Sequence, residues 1–287
     1  MRYEAPATSD AAVGLLSSAD GTARVLAGGT DLLVQLRAGM VEPDLVVDIK
    51  HIPGMADITP EDGGFRIGAA VPGAVLGEHA GIKAAWPGVV EATELIGSTQ
   101  IQGRATMIGN LCNASPAADS VPAMIAAGAT VRVVGPDGTR DIAALDVATG
   151  PGTTSLAKGE LVASVFLPAR PARSGDAYLR FIPRTEMDIA VVGAGVSLTM
   201  DDNGICTAAR VALGAVAPTA LLVADCANAL VGTSLDEATL EELAAAASAA
   251  CNPIDDKRGT IKYRTKVAGV LARRAAVIAK ARAGETL

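Results

Sequence analysis

Aromatic side chains make up only 2% of this 287-residue chain. Ala, Val, Leu and Ile must therefore fill its cores, and no aromatic platform for stacking nucleic-acid bases is visible. Histidine is as scarce, His51 and His79 being the only two, which argues against a His-based metal site or a Ser-His-Asp triad. The four cysteines, Cys112, Cys206, Cys226 and Cys251, lie far apart with no C-x-x-C pair. Neither a zinc site nor an iron–sulfur cluster can be built from closely spaced thiolates, and the four read as buried, reduced thiols. An excess of positive charge is missing too: the net charge is −7, which disfavours nucleic acid and anionic membranes as partners. No apolar run is long enough to span a bilayer, and Met1-Arg-Tyr-Glu-Ala-Pro lacks the apolar stretch of a signal peptide. The expectation is a soluble, cytoplasmic protein.

What is present is enough apolar sequence for two domains, each with its own core. Ser9-Asp10 caps a short helix to residue 18, and Ala23 to Ala27 reads as a brief strand ending at Gly28-Gly29. Thr30 or Asp31 can cap the helix that follows, and Gly39 can close it. Strand, double glycine and helix start form either an anion cradle or an ordinary tight turn. Strands follow at 44–49 and 65–70, the second after an Asp62-Gly63-Gly64 turn, then helices at 75–85 and 88–96. A helix capped by Ser120, a strand at 130–134 and an alternating strand at 160–167 complete the first half. Pro168 to Gly175, rich in Pro and Arg, reads as a linker. Beyond it come strands at 177–183, 189–200 and 205–216, then two helices. The capping box Ser234-Leu-Asp-Glu237 starts one, and the other runs from Lys262 to about Arg282. The second domain is thus a small antiparallel sheet covered by helices. Its basic residues, Arg264 and Arg273 among them, read as a solvated face.

Within the first domain lies Arg104-Ala-Thr-Met-Ile-Gly-Asn-Leu-Cys-Asn-Ala-Ser-Pro-Ala-Ala-Asp119. Small residues, amides and hydroxyls without a charge between the ends suit a loop pressed against a ligand, or a buried connection that satisfies its own backbone.

Seven motifs fall together in order: Leu26-Ala-Gly-Gly-Thr-Asp-Leu-Leu33, Ile67-Gly-Ala69, the 104–119 stretch, Gly159-Glu-Leu-Val162, Arg184-x-x-x-Asp188-Ile-Ala190, Leu213-Gly-Ala-Val-Ala-Pro218 and Tyr263-Arg264. Through them the chain resembles, over essentially its full length, the FAD-binding (medium) subunit of the molybdenum hydroxylases, the group of xanthine dehydrogenase and aerobic carbon monoxide dehydrogenase. The resemblance implies an α+β fold. A two-subdomain FAD-binding domain of the vanillyl-alcohol-oxidase type would span 1–172, divided at about residue 53, with a C-terminal flavoprotein domain at 173–287.

It also implies a site. The pyrophosphate cradle maps to Leu26, Ala27, Gly28, Gly29, Thr30, Asp31, Leu32 and Leu33, and to Thr106, Met107, Ile108, Gly109 and Asn110. Asp119 matches an acid near the adenosine end, Ile96 and Val162 match apolar contacts, Arg180 matches a position near the flavin that is usually lysine, and Ile189 matches a residue over the isoalloxazine ring. Ile108 departs from the family's glycine, so its side chain must turn away from the phosphates or displace them. No histidine accompanies Gly28-Gly29, so FAD is expected to be non-covalent. The implied role is electron transfer: a small [2Fe-2S] subunit delivers electrons from a large molybdenum subunit, and the FAD passes them to an external acceptor, in what would be a dimer of heterotrimers. Molybdenum cofactor and [2Fe-2S] clusters belong on the partners, and an inserted [4Fe-4S] loop like that of the benzoyl-CoA-reductase branch is missing. Glu186 and Asp188, beside Arg184, read as ion-pair partners rather than an acid–base pair, so no side chain is assigned as catalytic. The alternatives are a self-sufficient FAD-dependent oxidase or reductase, and a scaffold that has lost FAD.

Overall fold

Three sheets of three or more strands follow one another along the chain in the computed structural model, which describes residues 1–284; a two-stranded ribbon, Ala148–Gly150 with Thr153–Thr154, is the fourth sheet. The first is parallel, with Leu45–Asp48 between Arg2–Glu4 and Ala23–Leu26. All four residues of its central strand are buried, as the middle of a parallel sheet requires. The helix Ser9–Ser18 is capped by Thr8, not by Ser9 or Asp10. Thr8 is the last residue in extended conformation, and its hydroxyl accepts the Ala11 N–H at 3.2 Å.

The second sheet is antiparallel, in the order Ile58–Glu61, Gly64–Gly68, Leu161–Leu167, Thr130–Gly135 and Gly138–Ala143. Asp62 and Gly63, both at positive φ, form the two-residue turn between its first two strands. The single helix expected at 75–85 is two, Gly73–Glu78 and Ala80–Ala85. His79 separates them in an extended conformation, where its Nδ1 accepts the Ile82 N–H at 3.2 Å. Aliphatic and alanine side chains from both sheets and the helices between them form one core, in keeping with the shortage of aromatics.

The third sheet is a meander, Ser174–Phe181, Val192–Met200, Cys206–Gly214 and Leu221–Leu222. Helices Ala224–Leu230, Glu237–Ala249 and Ile261–Gly284 share a second core with it. Asp236, not Ser234, caps the middle helix by accepting the Thr239 N–H at 2.9 Å. The opposite side meets the helix Ser120–Ala126 of the first half: a Cβ on Gly195 would lie 2.7 Å from the carbonyl oxygen of Pro122.

The segment expected as a linker is anchored. Arg170 lies over the Trp86 ring and pairs at 3.1 Å with Asp176, whose carboxylate also accepts the Gly88 N–H at 2.8 Å. Arg282, near the end of the last helix, donates to the Asp176 carbonyl at 2.8 Å and pairs with Glu91. Burial pushes the Asp176 carboxyl up to about 6 despite both arginines. The two halves are joined by buried charge as well as by apolar packing.

Candidate cofactor site

The strand Ala23–Leu26 runs into Ala27-Gly28-Gly29, and the helix Leu32–Arg37 begins three residues later. Gly29 sits at φ 78°, a conformation glycine adopts without strain. Asp31 occupies the N-cap position without making a capping hydrogen bond, and burial raises its carboxyl. The start of this helix has N–H groups without intrahelical partners.

The stretch at 104–119 is not a plain loop. Thr106 caps a short helix, Met107–Cys112, by accepting the Gly109 N–H at 2.9 Å, while its carbonyl accepts from Asn110 at 3.0 Å. The N–H groups of Met107 and Ile108 at its start are left without intrahelical partners. Ile108 is 4% exposed and packs into the N-terminal core. Asn110 turns inward, its Oδ1 accepting from the Ser120 hydroxyl at 2.8 Å and the Ser120 N–H at 3.0 Å. Asp119, not Ser120, holds the next helix's N-cap position, without a capping bond.

Two contacts join these loops. Arg104 Nε donates to the Gly28 carbonyl at 3.1 Å, and Gln35 Nε2 donates to Asn113 Oδ1 at 3.0 Å. A Cβ at residue 28 would fall 1.9 Å from the Arg104 carbonyl oxygen. The close approach that requires glycine there is to the protein's own backbone.

A cavity of about 680 Å³ opens between the loops, within the range of roughly 300–1,000 Å³ that cofactor sites occupy. Of the expected residues, Ala27, Gly28, Gly29, Thr30, Asp31, Leu32, Ile96, Thr106, Ile108, Gly109, Asn110 and Val162 line it. Leu26 and Met107 are buried beside it, and Leu33, Asp119, Arg180 and Ile189 lie outside its lining. Arg24, Gln35 and Lys158 line it without having been singled out from the sequence. Lys158 directly precedes the Gly159-Glu-Leu-Val162 motif, the one signal that could have marked it.

Arg180 and Asp119 form a buried pair, Nη1 to Oδ1 at 3.0 Å, with no aligned hydrogen-bond donor for that oxygen. The pair stands outside the cavity lining, at the join between the helix Ser120–Ala126 and the C-terminal sheet. Burial pushes the Asp119 carboxyl up to about 6, against the pull of Arg180. Asp188 is held by Arg184 at 3.3 Å and Arg258 at 3.1 Å, as an ion-pair role requires. Arg264, expected on a solvated face, is 3% exposed: it donates to the Val191 carbonyl at 2.7 Å and pairs with Asp256 at 2.7 Å. Its planar fork satisfies carbonyls and a carboxylate together, which makes burial tolerable.

Backbone N–H groups, hydroxyls and two cations beside apolar walls suit an elongated ligand with an anionic centre. Among the described residues no cluster of three His, Cys, Asp or Glu could hold a metal ion, and no helix is long and apolar enough to cross a membrane.

Residues 1–170 match the family model for the FAD-binding domain in molybdopterin dehydrogenase, and residues 177–279 match that for the CO dehydrogenase flavoprotein C-terminal domain. The carbon monoxide dehydrogenase medium chain of Afipia carboxidovorans is 36% identical over 281 residues, covering 98% of this chain and 97% of that protein. The xanthine dehydrogenase FAD-binding subunit of Escherichia coli O157:H7 is 30% identical over 287 residues, covering 99% and 98%. A solved Cu,Mo-CO dehydrogenase in its cyanide-inactivated form contains a chain that superposes with a TM-score of 0.94 at 36% identity, covering 98% of each chain.

Proposed function

The chain belongs to the FAD-binding medium subunits of the molybdenum hydroxylases, the family of carbon monoxide and xanthine dehydrogenases, and we propose that it is the subunit through which electrons leave such a complex. A small [2Fe-2S] subunit would deliver them from a large molybdenum subunit, and an external acceptor would remove them. The observation that carries this reading is the cavity between the double-glycine loop and the Thr106-capped helix, two sets of backbone donors on one apolar-walled space. FAD, when bound, supplies the exchange between one-electron and two-electron transfer.

The chain's own residues would bind and orient it. N–H groups at 29–32 and 107–108 would hold the pyrophosphate, with Arg24 and Lys158 adding positive charge. Ile96 and Val162 supply apolar wall, and Arg180, paired with Asp119, sets the charge at the seam between the domains. No acid, base or nucleophile is needed from the chain. The scaffold alternative rested on Ile108 crowding the phosphates; that residue borders the cavity but is 4% exposed and packed with the N-terminal core, which supports a loop able to hold FAD. Four free cysteines fit a reducing compartment, and we place the complex, a dimer of heterotrimers, in the cytoplasm.

Purification from the native host tests the reading. The expected result is a yellow complex with a flavin spectrum, molybdenum and iron in the co-purifying subunits, and FAD in this one. A monomer free of molybdenum and iron, turning over an organic substrate by itself, would overturn it.

A further inference from the structure

One wall of the cleft belongs to neither the double-glycine loop nor the Thr106-capped helix. Residues 152–158 line the cavity at Gly152, Thr154, Leu156, Ala157 and Lys158, and they are pinned along their length. The Gly152 N–H donates to the Ala114 carbonyl at 3.0 Å. Ser155 donates its N–H to the Val147 carbonyl and its hydroxyl to the Asp146 carbonyl, both at 2.8 Å. Just beyond Lys158, a Cβ on Gly159 would lie 2.2 Å from the Ser17 hydroxyl oxygen, so the chain passes directly against the helix Ser9–Ser18.

Glu160 shapes the turn that carries Lys158. Its Oε2 accepts the Ala157 N–H at 2.8 Å, and Arg140 donates Nε–H and Nη2–H to its two carboxylate oxygens, each at 2.8 Å. With the nearest acid in sequence taken up in this way, Lys158 is exposed and, among the described residues, pairs with no carboxylate. A fixed turn thus holds an unpaired ammonium on the wall of a cavity, where it suits an anionic ligand. Leu16, Val25 and Leu156 give the same cavity apolar surface. An apolar slot with a cation beside it fits a nucleobase followed by a phosphate. A segment fastened at so many points also suits the half of a dinucleotide that does not react.

We propose that residues 152–158 clasp the adenosine half of the cofactor and that Lys158 is a specificity-determining residue: its ammonium meets the phosphate on the adenosine side, so that the cleft favours flavin adenine dinucleotide over flavin mononucleotide. The inference rests on FAD occupying that cleft. Glu160 is a positioning residue, acting on Lys158 through the Ala157 N–H, and Arg140 acts through Glu160. The Gly159-Glu-Leu-Val162 motif thereby has a physical role for its acid, which turns the preceding lysine toward the ligand without touching the ligand itself.

The test titrates the full chain, freed of cofactor, with FAD and FMN by flavin fluorescence and with ADP as a competitor of FAD. Wild type should bind FAD more tightly than FMN. Lys158→Ala should weaken FAD and ADP by about tenfold and leave FMN unchanged, while Lys158→Arg keeps most of the FAD affinity. Glu160→Gln should weaken FAD by about threefold and raise amide hydrogen exchange at 155–158, which Lys158→Ala should not. Unchanged FAD affinity in Lys158→Ala, or FAD and FMN weakened by the same factor, would overturn the clasp and leave the subunit assignment standing. Wild type that binds neither flavin would overturn both. Should Glu160→Gln fail to fold, the two Lys158 variants, altered only at an exposed side chain, carry the same comparison.

Discussion

The carbonyl oxygen of Arg104 lies 1.9 Å from the point where a β-carbon on Gly28 would stand, and the same arginine's Nε donates to the Gly28 carbonyl at 3.1 Å. Two loops separated by 76 residues are thus shaped against each other before any ligand arrives. Gly28→Ala should therefore force the loops apart, lowering stability by about 2–4 kcal/mol and FAD affinity by more than tenfold. Urea denaturation of apoprotein and FAD titration by fluorescence measure the two effects separately. Loss of affinity with no loss of apoprotein stability would count against this account.

Ile108 should behave as a core residue. Its side chain packs with the N-terminal cluster at 4% exposure, so Ile108→Ala should cost about 2–4 kcal/mol of stability without tightening FAD binding. If the branched side chain crowded the phosphates, the variant would instead bind FAD more tightly than wild type. Titration of refolded apoprotein decides between the outcomes.

Asp119 gives stability a pH dependence of known sign. Its folded carboxyl titrates at about 6 against an ordinary 3.8, so between those values the folded chain holds the extra proton. Its contribution therefore falls as pH rises from about 4 to about 6 and levels off above. Asp119→Asn removes this term. From about pH 4 to pH 7 the variant's stability relative to wild type should rise by roughly 2 kcal/mol, as measured by urea denaturation at the two pH values. A difference that is flat, or that runs the other way, would show that Arg180 rather than burial governs this group.

Arg264 links the last helix to two carbonyls and to Asp256. Arg264→Ala should leave those buried carbonyls unsatisfied and cost about 3 kcal/mol. Arg264→Lys keeps the charge but loses the fork, and should recover less than half of that. Chemical denaturation gives the figure, with FAD content as a check that the first domain remains intact.

How far the sequence carried these conclusions depends on the range of the forces involved. The double-glycine turn, the strand preceding it, the Asp62-Gly63 hairpin and the long final helix were legible because each follows from neighbours in the chain: φ preference, hydrophobic period and capping chemistry. Ordered motifs were enough to assign the family and its cofactor. The sequence could not tell whether Ile108 faced the ligand or the core, because a branched residue at a helix start has the same local signature in either place. It read Arg264 as one cation in a basic run, although its partners, Val191, Ala215 and Asp256, come from three separate segments. It gave no sign that Asp119 and Arg180 pair, and only the packing of the helix Ser120–Ala126 against the C-terminal sheet brings them to 3.0 Å. Local pattern determined where turns, strands and helices begin, and the order of the motifs, through the family they resemble, what this chain is built to bind. Burial and long-range contact, which no local rule contains, decided the partners of Asn110, Asp119 and Arg264.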